Sequence, residues 1–325
     1  MKVLVTGCAG FIGWKVTQVL LDAGHTVSGI DNLNETYDGR LKEWRLSQLK
    51  SYPDFRFQKL DIVDRPSLIS WLSAANSLDS PDAMINLAAR AGVRPSVDDP
   101  WGYYETNVTG TLNLLELCRE HGIGKFALSS TSGVYGDGER PFREEGPTDH
   151  PNSPYAASKK AAEALCYTYH RLHGLDVSVL RYFTVYGPGG RPDMSIFRFI
   201  KWIAEGEPGV LYGDGSQERD FTFVEDVASG TVAALKPLGY EVINLGSDHP
   251  VSIRQVIERI EALLGRKANI QQRPAHASDV NATWADNTKA QNVLGWTPST
   301  SFDEGLKRSV DWYAQNRDWA KDITV

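Results

Sequence analysis

The segment KVLVTGCAGFIG, residues 2–13, decides the fold. A short apolar, β-branched run enters three glycines spaced three apart, Gly7, Gly10 and Gly13, and an amphipathic stretch, Ile12–Ala23, follows. This is the order of a buried strand, a tight turn and a helix. Gly7 permits the turn, Gly10 lets backbone approach a diphosphate, and Gly13 lets helix and strand pack closely. The helix N-terminus then offers unpaired N–H groups and a partial positive charge to phosphate. The spacing is G-x-x-G-x-x-G rather than G-x-G-x-x-G, and three glycines alone also fit a purely structural turn.

The pattern repeats outward from this segment. Strands are expected at Lys2–Thr6, Thr26–Ile30, Phe55–Lys59, Ala83–Asn86, Lys125–Ser129 and Asp176–Arg181, with a later one at Tyr240–Gly246. Helical periodicity lies between them at Ile12–Ala23, Arg65–Ala74, Gly102–His121 and Ala156–His173. Such alternation predicts an α/β fold, a Rossmann-type doubly wound parallel sheet with helices on both faces. After Phe183 Gly and Pro become more frequent and the elements shorten, with one helix expected at Ser252–Leu264. We expect a dinucleotide-binding domain over 1–181, with a return segment at about 221–246. A smaller C-terminal substrate-binding lobe would take 182–220 and 247–325, with the ligand cleft between the two.

Composition narrows the class. The chain has 325 residues, 41% hydrophobic and 23% charged, as an ordinary globular protein has. A net charge of −7 disfavours a nucleic-acid surface. Three separated cysteines, Cys8, Cys118 and Cys166, fit a reducing compartment and offer no metal-ligand spacing, so no metal is expected. The opening apolar run is too short for a signal peptide, and no stretch approaches the ~20 apolar residues of a membrane span. A cytoplasmic protein is expected.

Two acids close strands. Asp31 ends HTVSGID, about 20 residues past the glycine loop, where an acid accepts hydrogen bonds from the adenosine ribose and repels a 2′-phosphate. That favours NAD over NADP, although Arg40 and Lys42 stand downstream. Asp61, in KLDIVD, is placed to meet an adenine edge. For both acids a helix cap is the alternative. Further along, Tyr155 and Lys159 are four residues apart and share a helix face. A free Tyr titrates near ~10; an ammonium beside it stabilises the phenolate and makes it a usable base. The hydroxyls of Thr131 and Ser132, at the end of the preceding strand, are placed to bond the oxygen being oxidised. Y-x-x-x-K alone is a common accident; the hydroxyl cluster and the glycine loop in the same chain give it weight.

Taken together, TGCAGFIG (6–13), NLAARAGV (86–93), SSTSGVYG (129–136) and YAASK (155–159) resemble the extended short-chain dehydrogenase/reductase family of nucleotide-sugar epimerases and dehydratases. The resemblance covers nearly the whole chain. It implies bound NAD and a nucleoside-diphosphate sugar in the C-terminal lobe, with proton removal by Tyr155 assisted by Lys159 and Thr131. It implies cofactor contacts at Gly7, Gly10, Phe11, Ile12 and Gly13, at Asp31, Asn32, Asp61 and Ile62, and at Leu87, Ala88 and Ala89. Tyr155 and Lys159 join them, and Asn107 packs beneath the loop. The family also pairs the helices Gly102–His121 and Ala156–His173 across a homodimer. Leu114, Leu117, Ala161, Leu165 and Tyr169 are the apolar residues noted there, and intrachain packing is the alternative.

Within the family, dehydratases carry an Asp-Glu pair after the strand-end hydroxyl and UDP-glucuronate decarboxylases a Glu. Here Thr131-Ser132-Gly133 supplies no acid, which favours plain epimerisation. The segments at 88–110, which holds Arg94, and at 181–200 resemble the UDP-glucuronate 4-epimerases. By that resemblance Thr184 and Arg191 face a uronate carboxylate, Arg219 contacts the nucleotide, and Asp279 holds its ribose. Phe197 and Tyr212 are candidates to stack near uracil, although aromatic residues in a small lobe are more often core. The expected reaction is NAD-dependent interconversion of UDP-glucuronate and UDP-galacturonate through oxidation at C4. The alternatives are a UDP-glucose/UDP-galactose 4-epimerase, a UDP-glucuronate decarboxylase, and a catalytically idle NAD-binding sensor.

Overall fold

The computed structural model describes residues 1–74, 80–274 and 280–325. The first half contributes strands β1 (Lys2–Thr6), β2 (Thr26–Asp31), β3 (Phe55–Lys59), β4 (Ala83–Asn86), β5 (Lys125–Thr131) and β6 (Asp176–Tyr182). The chain then forms β7 (Thr184–Tyr186), β8 (Pro208–Tyr212) and β9 (Glu218–Phe223). After these come β10 (Tyr240–Leu245), β11 (Pro250–Ser252) and β12 (Asn269–Arg273). Seven strands make one sheet in the order β10-β6-β5-β4-β1-β2-β3, and every pairing in it is parallel. Strands β4, β5 and β6 are buried almost throughout, as a sheet covered on both faces requires. This is the doubly wound Rossmann arrangement. Its direction of building reverses between β1 and β4, where the strand ends part and open a crevice.

The helix expected over Gly102–His121 is broken. It runs as Pro100–Tyr104, a π-helical turn at Glu105–Thr109, and Gly110–His121. The π-turn carries the buried Asn107, and such bulges occur where a helix serves a site rather than only a core. The helix Gly39–Leu49 has no counterpart in the apolar pattern. Its buried face includes Lys42 and Arg45, so charge replaces part of the hydrophobic stripe. Of the apolar residues noted for a dimer, Leu114, Leu117 and Tyr169 are taken up in the chain's own core. Trp101, Tyr104, Leu112, Tyr167 and Leu172 are the large apolar residues left exposed on these segments.

The C-terminal lobe holds a three-stranded sheet, β11-β9-β7, and a two-stranded one, β12-β8. Helices Ser195–Glu205, Ile253–Leu264 and Phe302–Gln315 close over them around Phe221, Val256, Leu306 and Trp312. Because β9 belongs to this small sheet, the return to the large sheet starts with the helix Val224–Ala233, and β10 completes it. The fully buried Asp220 staples the loops here, accepting backbone N–H groups of Ser247, Asp248 and Ala285 at 2.5, 3.1 and 3.0 Å.

The glycine loop is packed to its limit. Gly7 has φ +69°, and a Cβ there would lie 2.7 Å from the Ala88 nitrogen. A Cβ on Gly13 would lie 2.0 Å from the Gly7 carbonyl oxygen, and backbone cannot yield as a side chain can. Gly13→Ala is therefore expected to destabilise the chain by about 2 kcal/mol or more, in the range of overpacked sites. Urea unfolding checks this, and an unchanged midpoint would contradict the packing account.

Candidate active site

A cleft of about 760 Å³ opens over the carboxyl ends of the large sheet, between it and the small lobe. Its floor is the glycine loop. The first pairing of the helix Phe11–Asp22 is from the Trp14 amide to the Gly10 carbonyl, at 2.9 Å. The amides of Phe11, Ile12 and Gly13 precede it, in residues that line the cleft, so the helix presents its positive end there. A cradle that admits no Cβ at Gly7 or Gly13, at the positive end of a helix, fits a dinucleotide diphosphate.

Asp31 closes one end of the cradle. It is 7% exposed; its carboxylate accepts the Ala9 N–H at 3.2 Å and the Leu33 N–H at 2.8 Å. It is thus fixed as an acceptor facing the cleft and does not cap a helix. Asp61 accepts from the Val63 N–H at 3.0 Å and from the Asn32 side-chain amide at 2.8 Å. Asn32 and Ile62 line the cleft with these acids. Of the two downstream cations, Arg40 turns away to Asp38 at 2.6 Å. Lys42 is buried, donates to Asn34 at 3.0 Å and stands 3.6 Å from Asp31.

Leu87, Ala88 and Ala89 form the opposite wall. Asn107 does not line the cleft; it lies behind this wall. Its side-chain oxygen accepts the Arg90 N–H at 2.9 Å, and its amide donates to the Arg90 carbonyl at 3.0 Å and to the Ser158 hydroxyl at 2.9 Å. It therefore ties the loop after β4 to the helix bearing Tyr155 and Lys159.

That helix, Pro154–His173, starts from Ser153, whose hydroxyl accepts the Ala156 N–H at 3.2 Å, with Pro154 at the first helical position. Tyr155 and Lys159 fall on its cleft side. Thr131 ends β5 opposite them. Its hydroxyl accepts the Gly133 N–H at 3.1 Å and favours the phenolate form of Tyr155. Burial raises the Tyr155 phenol, while the Thr131 bond and the Arg191 guanidinium draw it back down. Lys159 is 2% exposed, and burial brings it down to about 8 against the opposing pull of Cys166 and Glu163. Ser132 and Thr184 line the same pocket.

The lobe side brings cations. Arg191 lines the cleft; its Nε and Nη2 donate to Asp193 at 3.0 and 2.6 Å, and Nη2 also donates to the Ala91 carbonyl at 3.2 Å. Arg94 lays its guanidinium over the Tyr212 ring, 3.9 Å from the centroid, and Arg219 lines the same wall. Phe197 corrects an expectation. It is 6% exposed and packs on Trp312 and Tyr313, with ring centroids at 6.3 and 6.0 Å, inside the lobe core. One helical position turns a side chain by about 100°, so Arg198, Phe199 and Trp202 line the cleft and Phe197 does not. Asp279 lies outside the described residues. No group of three or more metal-ligating side chains occurs among the described residues.

Two supports escape a reading of the sequence. Glu163, one turn beyond Lys159, is gripped by Arg181 at 3.0 and 2.9 Å and by the Ser130 hydroxyl at 2.6 Å. Arg181 continues to the Tyr135 hydroxyl at 2.9 Å, and that hydroxyl donates to Asn244 at 2.7 Å. The network lashes β5, β6 and β10 together under the hydroxyl cluster; its signal in the sequence is an acid on a helix face otherwise lined by Ala162 and Cys166. Arg45 is the second.

Residues 4–309 match the GDP-mannose 4,6 dehydratase family. The UDP-glucuronate 4-epimerase of Thermodesulfobacterium geofontis (strain OPF15) is 54% identical over 323 residues, 99% of this chain and 99% of the relative. The crystal structure of UDP-glucuronic acid 4-epimerase from Bacillus cereus with UDP-glucuronic acid and NAD superposes with a TM-score of 0.89 at 36% identity, covering 97% of this chain and 100% of that one. The UDP-glucose 4-epimerase of Thermotoga maritima with UDP-glucose gives 0.88 at 32% identity, covering 98% and 100%. With agreement this long, in sequence and in backbone, the chain belongs to the extended short-chain dehydrogenase/reductase family of nucleotide-sugar epimerases and dehydratases.

Proposed function

We propose that the chain interconverts UDP-glucuronate and UDP-galacturonate by transient oxidation at C4. It is an isomerase, and NAD is its cofactor. One observation carries the choice of a uronate. Arg191 stands in the cleft close enough to Tyr155 to favour its phenolate, and its Nη1 has no partner among the described residues. A guanidinium N–H in the same cleft as the proton-abstracting oxygen suits a sugar whose next carbon but one is a carboxylate. A UDP-glucose epimerase has no use for it, and Thr131-Ser132-Gly133 lacks the acid of a decarboxylase.

Gly7, Gly10, Phe11, Ile12 and Gly13 would hold the cofactor diphosphate, and Asp31 and Asn32 its adenosine ribose. Asp61, Ile62 and the Leu87–Ala89 wall would enclose the rest. Bound NAD supplies the acceptor for the C4 hydride and the donor that returns it to either face. Tyr155 takes the C4 hydroxyl proton and later gives it back. Thr131 donates to the phenolate, and Lys159, with its proton held loosely near neutral pH, lends it charge. The oxidised sugar is a β-keto acid, which loses CO2 only if charge can leave its carboxylate. Arg191 pins that charge in place. Thr184 and Ser132 complete the sugar pocket, while Arg94, Tyr212, Arg219 and Asp279 hold the nucleotide. This division assigns 1–181 and the return segment to the cofactor and the remainder to the nucleotide sugar. Three free, buried cysteines and a nucleotide-sugar substrate suit the cytoplasm.

Proton NMR of the purified chain with UDP-glucuronate, without added NAD, tests the reaction. UDP-galacturonate is expected from the wild type. Arg191→Ala should lose about ten- to hundredfold in kcat/KM, as one charge-assisted hydrogen bond is worth, and should release UDP-pentose. Tyr155→Phe should lose at least about 100-fold while NAD still raises its melting temperature. A pentose from the wild type would make it a decarboxylase, no product from the wild type would leave the idle sensor, and full activity in Tyr155→Phe would remove Tyr155 from the chemistry.

The Lys159 ammonium is present below about pH 8 and lost above it. The kcat/KM profile should therefore fall on its alkaline side, and Lys159→Arg, less active overall, should lose that limb. A wild-type profile flat to pH 10 would remove Lys159 from the chemistry.

The chain also pairs with a second copy through the segments around Pro100–His121 and Pro154–His173. Trp101 is 85% exposed there and Tyr167 53%, more than a solvated helix face explains. Light scattering should give twice the chain mass, and Trp101→Glu half of that; a monomeric wild type would end this reading.

A further inference from the structure

Arg45 sits on the inward face of the helix Gly39–Leu49 at 0% exposure. A buried guanidinium is ordinarily matched by a carboxylate. No acid pairs with Arg45 among the described residues, and all five of its N–H groups go to neutral oxygens. Nε and Nη2 donate to the Gly189 carbonyl at 3.2 and 2.7 Å, and Nη2 reaches the Gly190 carbonyl at 3.4 Å. Nη1 donates to the Ala9 carbonyl at 3.1 Å and to the Tyr37 hydroxyl at 2.7 Å.

The partners fall on two loops. Ala9 lies between Gly7 and Gly10 in the dinucleotide cradle, and its N–H is the one bonded to Asp31. Gly189 and Gly190 immediately precede Arg191, and Gly189 has φ +64° with its Cα pressed toward the Trp44 ring of the same helix. Tyr37 lies 5.7 Å from the Arg191 guanidinium, ring centroid to carbon, so it touches both arginines' surroundings. One side chain thus spans the floor of the cofactor site and the root of the carboxylate clamp. Its uncompensated charge lies behind the loop that faces the diphosphate, where a fixed positive charge is favourable.

We propose that Arg45 is a positioning residue, a buried strut that holds the Arg191 loop in register with the glycine loop, so that filling the dinucleotide cradle and seating the substrate carboxylate are coupled. The carboxylate half rests on the uronate reading above; the cofactor half does not.

Calorimetric titration of the full chain, freed of nucleotide, tests it. In the wild type NAD should tighten UDP-glucuronate binding at least about fivefold, and the effect is reciprocal. Arg45→Met should bring that factor to within twofold of one and weaken NAD itself, while the chain still melts cooperatively. Arg45→Lys keeps the charge but has at most three donors; it should recover NAD affinity without the coupling. The wild-type coupling factor in Arg45→Met would overturn the strut, as would equal losses for both ligands in proportion to a lowered melting temperature. Should Arg45→Met fail to fold, Tyr37→Phe, which removes one acceptor from the same guanidinium, should reduce the coupling, and wild-type coupling there would overturn it equally. A wild-type chain that binds NAD but not UDP-glucuronate overturns the substrate reading instead. The strut then stands or falls on NAD affinity, and an unchanged value in Arg45→Met overturns it.

Discussion

The turn after β1 and the chain after β4 touch backbone to backbone. A Cβ at Gly7 would lie 2.7 Å from the Ala88 nitrogen, so no other residue brings these two segments so near. That contact sits at the switch point of the sheet, where neighbouring strand ends lead to opposite faces. It fixes the floor of the cradle against its wall, and everything later in the cleft is placed from it. Leu87 and Ala88 are held on one side, Asn107 locks the following residues to the helix of Tyr155, and the Tyr155 hydroxyl meets Thr131 at the end of β5.

The reactive group itself is poised by opposing effects, of which burial is the largest. Burial disfavours charge on both Tyr155 and Lys159, raising one and lowering the other, so two groups whose ordinary values nearly coincide are driven apart, the phenol above the ammonium. Thr131, Arg191 and Glu163 then act against burial through named contacts and fields. Such a balance is stable only if its members cannot drift. The Glu163–Arg181–Tyr135–Asn244 network, buried beneath them and hydrogen-bonded across three strands, supplies that rigidity.

What could be read from the sequence follows from how local each signal is. β1 and the glycine turn are contiguous, so strand, turn and helix were legible to within a residue. Asp31 and Asp61 were legible because a strand end can be counted. Phe197 misled because helical phase decides which of two adjacent residues reaches a cleft, and an amphipathic stretch of aromatic residues leaves that phase ambiguous. The helix Gly39–Leu49 was invisible for the opposite reason: its buried face is partly charged, and the carbonyls that satisfy Arg45 lie 36 and 144 residues away. Long-range polar satisfaction leaves no periodic trace.

The distribution of charge completes the picture. The chain carries a net −7, yet the cleft is lined by Lys42, Lys159, Arg94, Arg191, Arg198 and Arg219 against Asp31, Asp61 and Asp193. The acids at β2 and β3 stand at one end, where ribose hydroxyls would be donors. The arginines gather on the lobe side, where a diphosphate and a carboxylate would bring charge in. An acidic exterior with a cationic interior draws anions past the rim and not onto it, because field lines concentrate in a low-dielectric cleft. The same acidity that argues against a nucleic-acid surface thus sharpens the contrast by which a small, multiply charged sugar nucleotide finds its site.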